Sequence, residues 1–305
     1  MSSYVVRRGA ESLLALFLLL VLVFFLSRLT GDPTNLYLPM DASLEQRKAF
    51  AERHGFNDPF YIQLARYLYG LLHLDFGQSI FQGRSAMDAA LEAFPITLRL
   101  ALVTMTLALL LSVLIGSLAA FRPRGLFDRV ASLVTITSAS APDFWIAIVA
   151  ILIFAVSLGI LPTSGMGSFW HWIMPVSVLL VRPLGLLTQV VRAAMISALA
   201  SPYVKTAKAK GAGKWRVIYV HALRNSMLTV ITVAGDQAAA LLNGAVIVET
   251  VFGWPGIGNL MISAIKQRDF AVLQACILVT AIAIFVMNIL IDIIYSRLDP
   301  RIRVN

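Results

Sequence analysis

Apolar residues fall in long blocks along this chain, separated by polar stretches of two different characters. Residues 12–27 form an uncharged run rich in Leu and Phe, with Arg7 and Arg8 before it. The Arg28-Leu29-Thr30-Gly31-Asp32-Pro33 stretch that follows has no small-residue cleavage pattern, so the run predicts an uncleaved transmembrane helix over about 9–29. Five more blocks predict helices over about 96–120, 130–161, 169–191, 226–248 and 271–294. Each supplies the roughly 20 helical residues that cross a ~30 Å hydrocarbon core. Pro142-Asp143 interrupts the third helix, Arg182-Pro183 the fourth and Asp236-Gln237 the fifth. Pro142, Pro175 and Pro183 each remove a backbone donor and are expected to bend their helices. Periodic strands are absent, which argues against a membrane β-barrel and leaves an all-α chain with six crossings.

The stretch 30–95 is different in kind and carries half of the acidic residues. Ser43-Leu44-Glu45-Gln46 has the spacing of a capping box, and the helix it opens is expected to stop near Gly55. Asn57-Asp58-Pro59 predicts a second start, with proline at the first helical position. Phe60, Leu64, Tyr67, Leu68 and Leu71 then recur at helical spacing. Leu74 to Ser79 reads as a loop, and Ser85 to Glu92 as one more short helix ending before Pro95. Two regions result: 1–95, a transmembrane helix plus an extramembrane segment, and 96–305, a five-helix core.

Composition agrees with this reading. Apolar residues make up 59% of the 305 and charged residues 13%, about half the ~25% of a soluble domain. A disordered chain and a soluble single domain are both excluded. Lys and Arg exceed Asp and Glu by 25 to 16, a net charge of +9. The excess sits in particular loops: Arg122, Arg124 and Arg129; Arg192, Lys205, Lys208, Lys210, Lys214, Arg216 and Arg224; and Arg297, Arg301 and Arg303. The loop 162–168 has no Lys or Arg, and 249–270 has only Lys266 and Arg268. The positive-inside rule puts both termini in the cytoplasm and the 30–95 segment outside, and it accounts for the basic charge without a nucleic-acid partner. Cys276 stands alone, so no internal disulfide forms. His54, His73, His171 and His221 lack metal-ligand spacing.

The basic stretch between the fourth and fifth helices is the first candidate for function. Tyr203, Lys205, Thr206, Ala207, Lys208, Ala209 and Lys210 form a helix-compatible run behind Ser201-Pro202, and Gly211 and Gly213 end it. It either lies on anionic lipid headgroups, at about 1 kcal/mol per Lys or Arg, or is a docking helix for a cytoplasmic partner. Gly211-Ala212-Gly213-Lys214 is not a phosphate loop. Lys208 stands where that pattern needs Gly, and Trp215 where it needs Ser or Thr. Asp143, Arg182 and Asp236 fall inside apolar spans, where each costs about 2.5–3.5 kcal/mol to insert. They either line a polar pathway or form an internal ion pair, Arg182 with Asp143 or with Asp236. Gln189, Asn243 and Asn288 are expected to form interhelical hydrogen bonds. A proton-coupled carrier would use Asp143 and Asp236 as its relay, but six crossings are few for one and the basic loop would have no task. An intramembrane enzyme would need a nucleophile–base pair or a metal cluster, and neither is visible.

Tyr203–Asn225 resembles the cytoplasmic EAA loop of binding-protein-dependent ABC importer permeases of the dipeptide/oligopeptide type. Ala207 and Gly211 stand in register with that loop's Ala and Gly, Lys205 replaces its usual Glu, and Thr206 takes the second position. His221-Ala222-Leu223-Arg224-Asn225 matches the end of the loop in the peptide branch. Phe76-Gly77-Gln78-Ser79, Glu249 to Gly258 and Asp299-Pro300-Arg301-Ile302-Arg303 match in order, so the resemblance covers essentially the whole chain. It implies a type I ABC importer (MetI-like) transmembrane fold and a permease subunit forming half of a peptide pathway in a bacterial cytoplasmic membrane. Glutathione, nickel chelates or another small solute are the alternative cargoes. The implied partners are a homologous second permease, two ABC ATPase subunits and an extracytoplasmic solute-binding protein. ATP and magnesium would then be bound by the ATPases and no cofactor by this chain. The coupling loop would span about 198–225. Glu249, Phe252, Trp254, Pro255 and Gly256 would form either an outer gate element or an ordinary surface turn.

Overall fold

The computed structural model describes residues 2–29, 38, 42–53, 55, 57–79 and 81–298. Asp299–Arg303, the last of the matching stretches, lies outside the described residues. Within them the chain is helical, with one isolated bridge, Gln78 to Ser85. It divides into two compact units: residues 1–96 with 256–283, and residues 97–255 with 284–305.

The first unit opens with α1 (Ser2–Leu29). Helix α2 (Leu44–Arg53) starts on the expected capping box: Gln46 N–H donates to Ser43 Oγ at 3.2 Å, and Ser43 N–H to Gln46 Oε1 at 2.9 Å. Helix α3 (Phe60–Leu72) starts one residue later than its proline predicts. Pro59 is the cap itself and no side chain caps the helix. The Asp58 carboxylate accepts a 2.8 Å bond from Arg66 Nη2 instead. Tyr67 on α3 stacks on Phe24 of α1 at 4.9 Å and 17°, and its hydroxyl donates to the Leu20 carbonyl at 3.4 Å. Burial there pushes the Tyr67 phenol up to about 12.

Helix α4 (Ala86–Phe121) replaces the expected short helix and separate second span, because Pro95 lies inside it. One proline removes one i→i−4 bond, while Ala86, Ala90 and Ala93 pack tightly on α10 (Ile257–Gln267) and the start of α11 (Phe270–Leu298). That packing keeps the turn helical through the proline. Arg268, at φ +55°, ends α10, and the buried Asp269 carboxylate caps Val272 N–H at 3.2 Å and accepts Ser79 Oγ at 2.5 Å.

The second unit contains the rest of α4, then α5 (Leu126–Ser140), α6 (Asp143–Ala150), α7 (Phe169–Ala200), α8 (Pro202–Ala209) and α9 (Lys214–Val251). A π-helical stretch, Ile151–Ser157, extends α6, and another, Val217–Ala222, lies within α9. The predicted third span is two helices set 102° apart. Pro142 forces Ala141 before it into extended backbone (φ −87°, ψ 134°), which no helix accommodates. Pro175 and Pro183, by contrast, lie buried inside a continuous α7. The core of this unit includes Ala120, Val191, Met195, Ile218, Ala222 and Val230.

Among the described residues four helices are long and apolar enough to cross a membrane: Ala86–Phe121, Phe169–Ala200, Lys214–Val251 and Phe270–Ile291. The broken pair counts as a fifth if it is one span, and Leu14–Leu26 is a shorter apolar helix. These are compatible with six crossings.

Candidate functional site

The basic loop between α7 and α9 holds an isolated two-turn helix, α8. Ser201 is extended (φ −68°, ψ 154°) and Pro202 takes the first helical position, where its missing N–H costs nothing. The helix ends in a Schellman arrangement: Gly211 N–H donates to Lys208 O at 2.9 Å and Ala212 N–H to Ala207 O at 3.1 Å. Gly211 sits at φ +80° with open space where a Cβ would be, so backbone conformation alone selects glycine there. Val204 is fully buried and Ala207 half-buried, while Tyr203, Lys205, Thr206, Lys208, Ala209 and Lys210 are exposed. One thin edge of the helix touches the protein and the rest faces outward.

Beyond the glycines the loop is anchored by aromatic contacts that sequence reasoning missed. Trp215 stacks on Tyr219 at 5.9 Å and 16°. Lys214 Nζ lies 4.0 Å over the ring of Phe121, the last residue of α4. The signal was legible: an aromatic pair at i, i+4 beside a lysine at a helix start.

The intramembrane charges are brought together in part. Arg182 Nε lies 3.9 Å from Asp143 Oδ1, with side chains 57% and 19% exposed. Asp236 is exposed, and no ion pair joins it to Arg182 among the described residues. Gly235 beside it approaches α11 closely, its Cβ position lying 2.7 Å from Ile291 Cγ2.

Arg182 is one rung of a ladder between α7 and the broken third span. Gly185 places its Cβ position 2.7 Å from Ser138 Oγ and 2.9 Å from Thr135 O. Gln189 Nε2 donates to Thr135 Oγ1 at 2.5 Å. Arg192 grips Asp128 at two points: Nη2 donates to Oδ2 at 2.8 Å, and Nε to Oδ1. Residues 182, 185, 189 and 192 share one stripe of α7, and their partners descend along α6 and α5, so α5 and α7 run antiparallel. Small residues and polar side chains are the usual means of holding helices together in lipid.

The stretch after α9 is buried. Glu249 and Trp254 are fully buried and Phe252 nearly so, while Pro255 is exposed. Thr97 Oγ1 donates to Glu249 Oε1 at 2.5 Å, and Trp254 N–H donates to Glu249 O at 2.8 Å. Gly165 N–H donates to Phe252 O at 2.8 Å, and the Trp172 and Trp254 rings meet edge-to-face at 4.8 Å. Gly253 takes φ +56° to make this turn. Gly256 is the N-cap of α10.

A helical chain with several membrane-length spans, a broken third span and an exposed two-turn helix on a basic loop belongs to the class of membrane transport components. The chain is a member of the binding-protein-dependent transport system inner membrane component family, whose pattern residues 112–304 match. Over 99% of both chains it is 34% identical to the oligopeptide transport system permease protein AppB of Bacillus subtilis (strain 168). It is 33% identical, also over 99% of both, to the glutathione transport system permease protein GsiC of Escherichia coli (strain K12). A solved structure of the MetNI methionine ABC transporter in an inward-facing conformation superposes with a TM-score of 0.60. That match covers 70% of this chain and 97% of the other at 15% identity, which establishes the fold. An amino acid ABC transporter gives 0.55, over 69% and 94%. The chain is thus a multi-pass permease component of an ABC importer and not an enzyme, and it works with ATPase and binding-protein partners.

Proposed function

We propose that this chain is one permease of a peptide importer and forms half of the translocation pathway beside a homologous second permease. Near full-length similarity to relatives named for oligopeptide, peptide and glutathione transport supports a peptide cargo. The arginine-rich loops support cytoplasmic termini in a bacterial inner membrane. Two ATPases bind and hydrolyse ATP with magnesium, and an extracytoplasmic solute-binding protein delivers the cargo.

Helix α8 is the coupling element, and the observation that carries this is its isolation. It starts at Pro202, ends in the Gly211 turn, is buried only along the Val204 edge and is otherwise exposed. A short rigid helix of that kind fits a groove on an ATPase and moves as one piece when two ATPases close. Arg182, with Asp143 beside it, and Asp236 line the polar pathway, since a charged side chain exposed within a span needs a water-filled cavity. Glu249, Phe252, Trp254, Pro255 and Gly256 form the outer closure. The burial of Glu249, Phe252 and Trp254 supports a fixed plug rather than a flexible flap.

The test is ATP-driven peptide uptake by the complete complex in proteoliposomes. Lys208→Glu, Lys210→Glu and Gly211→Pro combined should abolish uptake while the chain still folds. Normal ATP-driven uptake by that variant would contradict the coupling role. Uptake on a proton gradient without ATPases would contradict the importer cycle.

A further inference from the structure

Asp128 and Arg192 form the most buried ion pair among the described residues. Asp128 is 3% exposed and Arg192 26%. The carboxylate lies in the first turn of α5, where the helix dipole favours an anion. It also accepts Arg124 N–H at 2.8 Å, holding Arg124 at φ +65°, a conformation that side chains rarely adopt. One carboxylate therefore gathers three pieces of chain: the turn after α4, the start of α5, and α7. A bidentate guanidinium fixes orientation as well as distance.

The position of this clamp matters. From Arg192, α7 continues about two turns to its end, and α8 begins immediately after Ser201. On the far side of α8, Lys214 is held over Phe121 of α4. The exposed helix is thus flanked by two anchored points, and the Arg192 side leads through α7 into the ladder and on to the broken third span.

We propose that Asp128 and Arg192 are positioning residues for coupling: their clamp ties α5 to α7, so that a displacement delivered at α8 moves the first half of the third span with α7. This rests on the reading of α8 as the coupling element. Without the clamp, α8 still docks and ATP is still hydrolysed, but the span lags and cargo transfer fails.

The test compares uptake per ATP hydrolysed in the reconstituted complex, a ratio that loss of folded protein does not change. Asp128→Asn keeps the shape and one acceptor for Arg192. It should leave ATPase co-purification intact and lower uptake per ATP about tenfold, within the usual span of coupling energies between sites. Arg192→Lys, which keeps the charge but loses the two-point grip, should fall in between. The exchange Asp128→Arg with Arg192→Asp should recover part of the ratio. An unchanged ratio in Asp128→Asn would overturn the proposal. So would a failure of both single variants to assemble that the exchange does not repair, since that would mark the pair as structural only. Gly211→Pro in the same assay separates the two claims. If it stays coupled, the reading of α8 fails; if it uncouples while Asp128→Asn does not, only the clamp fails.

Discussion

Two arginines on one face of α7 meet two aspartates, and the pairs are built differently. Arg192 and Asp128 bond at two points, with a backbone N–H as third partner and a carboxylate 3% exposed. Arg182 and Asp143 approach at a single 3.9 Å contact, and the arginine side chain is 57% exposed. Removing one partner of a buried pair strands the other charge and costs about 3–5 kcal/mol, whereas an exposed pair contributes about 0–1 kcal/mol. One stripe of residues therefore ends in a fixed joint beside the basic loop and, further along, in a charge left available. On the proposed reading the rigid end transmits motion and the exposed end meets cargo, which suits alternating access by rigid-body movement.

The comparison can be broken most severely at its buried end. Arg192→Ala is expected to lower stability by about 3–5 kcal/mol, read as a fall in thermal midpoint of the detergent-purified chain. Gly185→Leu should come next. Its side chain would meet Ser138 Oγ and the Thr135 carbonyl within 3 Å, and overpacking of this kind costs about 1–3 kcal/mol. Gly211→Ala should lose roughly 1 kcal/mol from its left-handed backbone alone. It meets no atom within 4 Å, so the same unfolding assay should separate it from Gly185→Leu. Arg182→Gln should be smallest in stability, within about 1 kcal/mol, while raising KM for ATP-driven uptake. A large stability loss with unchanged KM would make Arg182 a structural partner of Asp143 and erase the contrast.

Much of this was legible in the sequence, for identifiable reasons. Length and hydropathy place the spans because lipid leaves a chain little choice but to satisfy its backbone in helices. Ser43 and Gln46, or Pro202 and Gly211, mark helix ends because capping is local chemistry. Pro142 reads correctly as a break, whereas Pro95 does not end its helix, because the alanine packing across it is tertiary. The Arg182–Asp143 contact was one of two alternatives that spacing alone left open. Asp128 was passed over because one acid among Arg122, Arg124 and Arg129 reads as part of a solvated loop. Its burial depends on Arg192 of α7, 64 residues away. The polar stripe 182, 185, 189, 192 was available in the sequence, but only the fold identifies which partners face it.

The central claim, that α8 is where ATPase motion enters this permease, is tested most directly by contact. A photoreactive amino acid placed at Lys208 in the assembled complex should give an adduct with an ATPase chain, and Gly211→Pro should remove it. An intact complex in which the probe at Lys208 captures only lipid would contradict the claim.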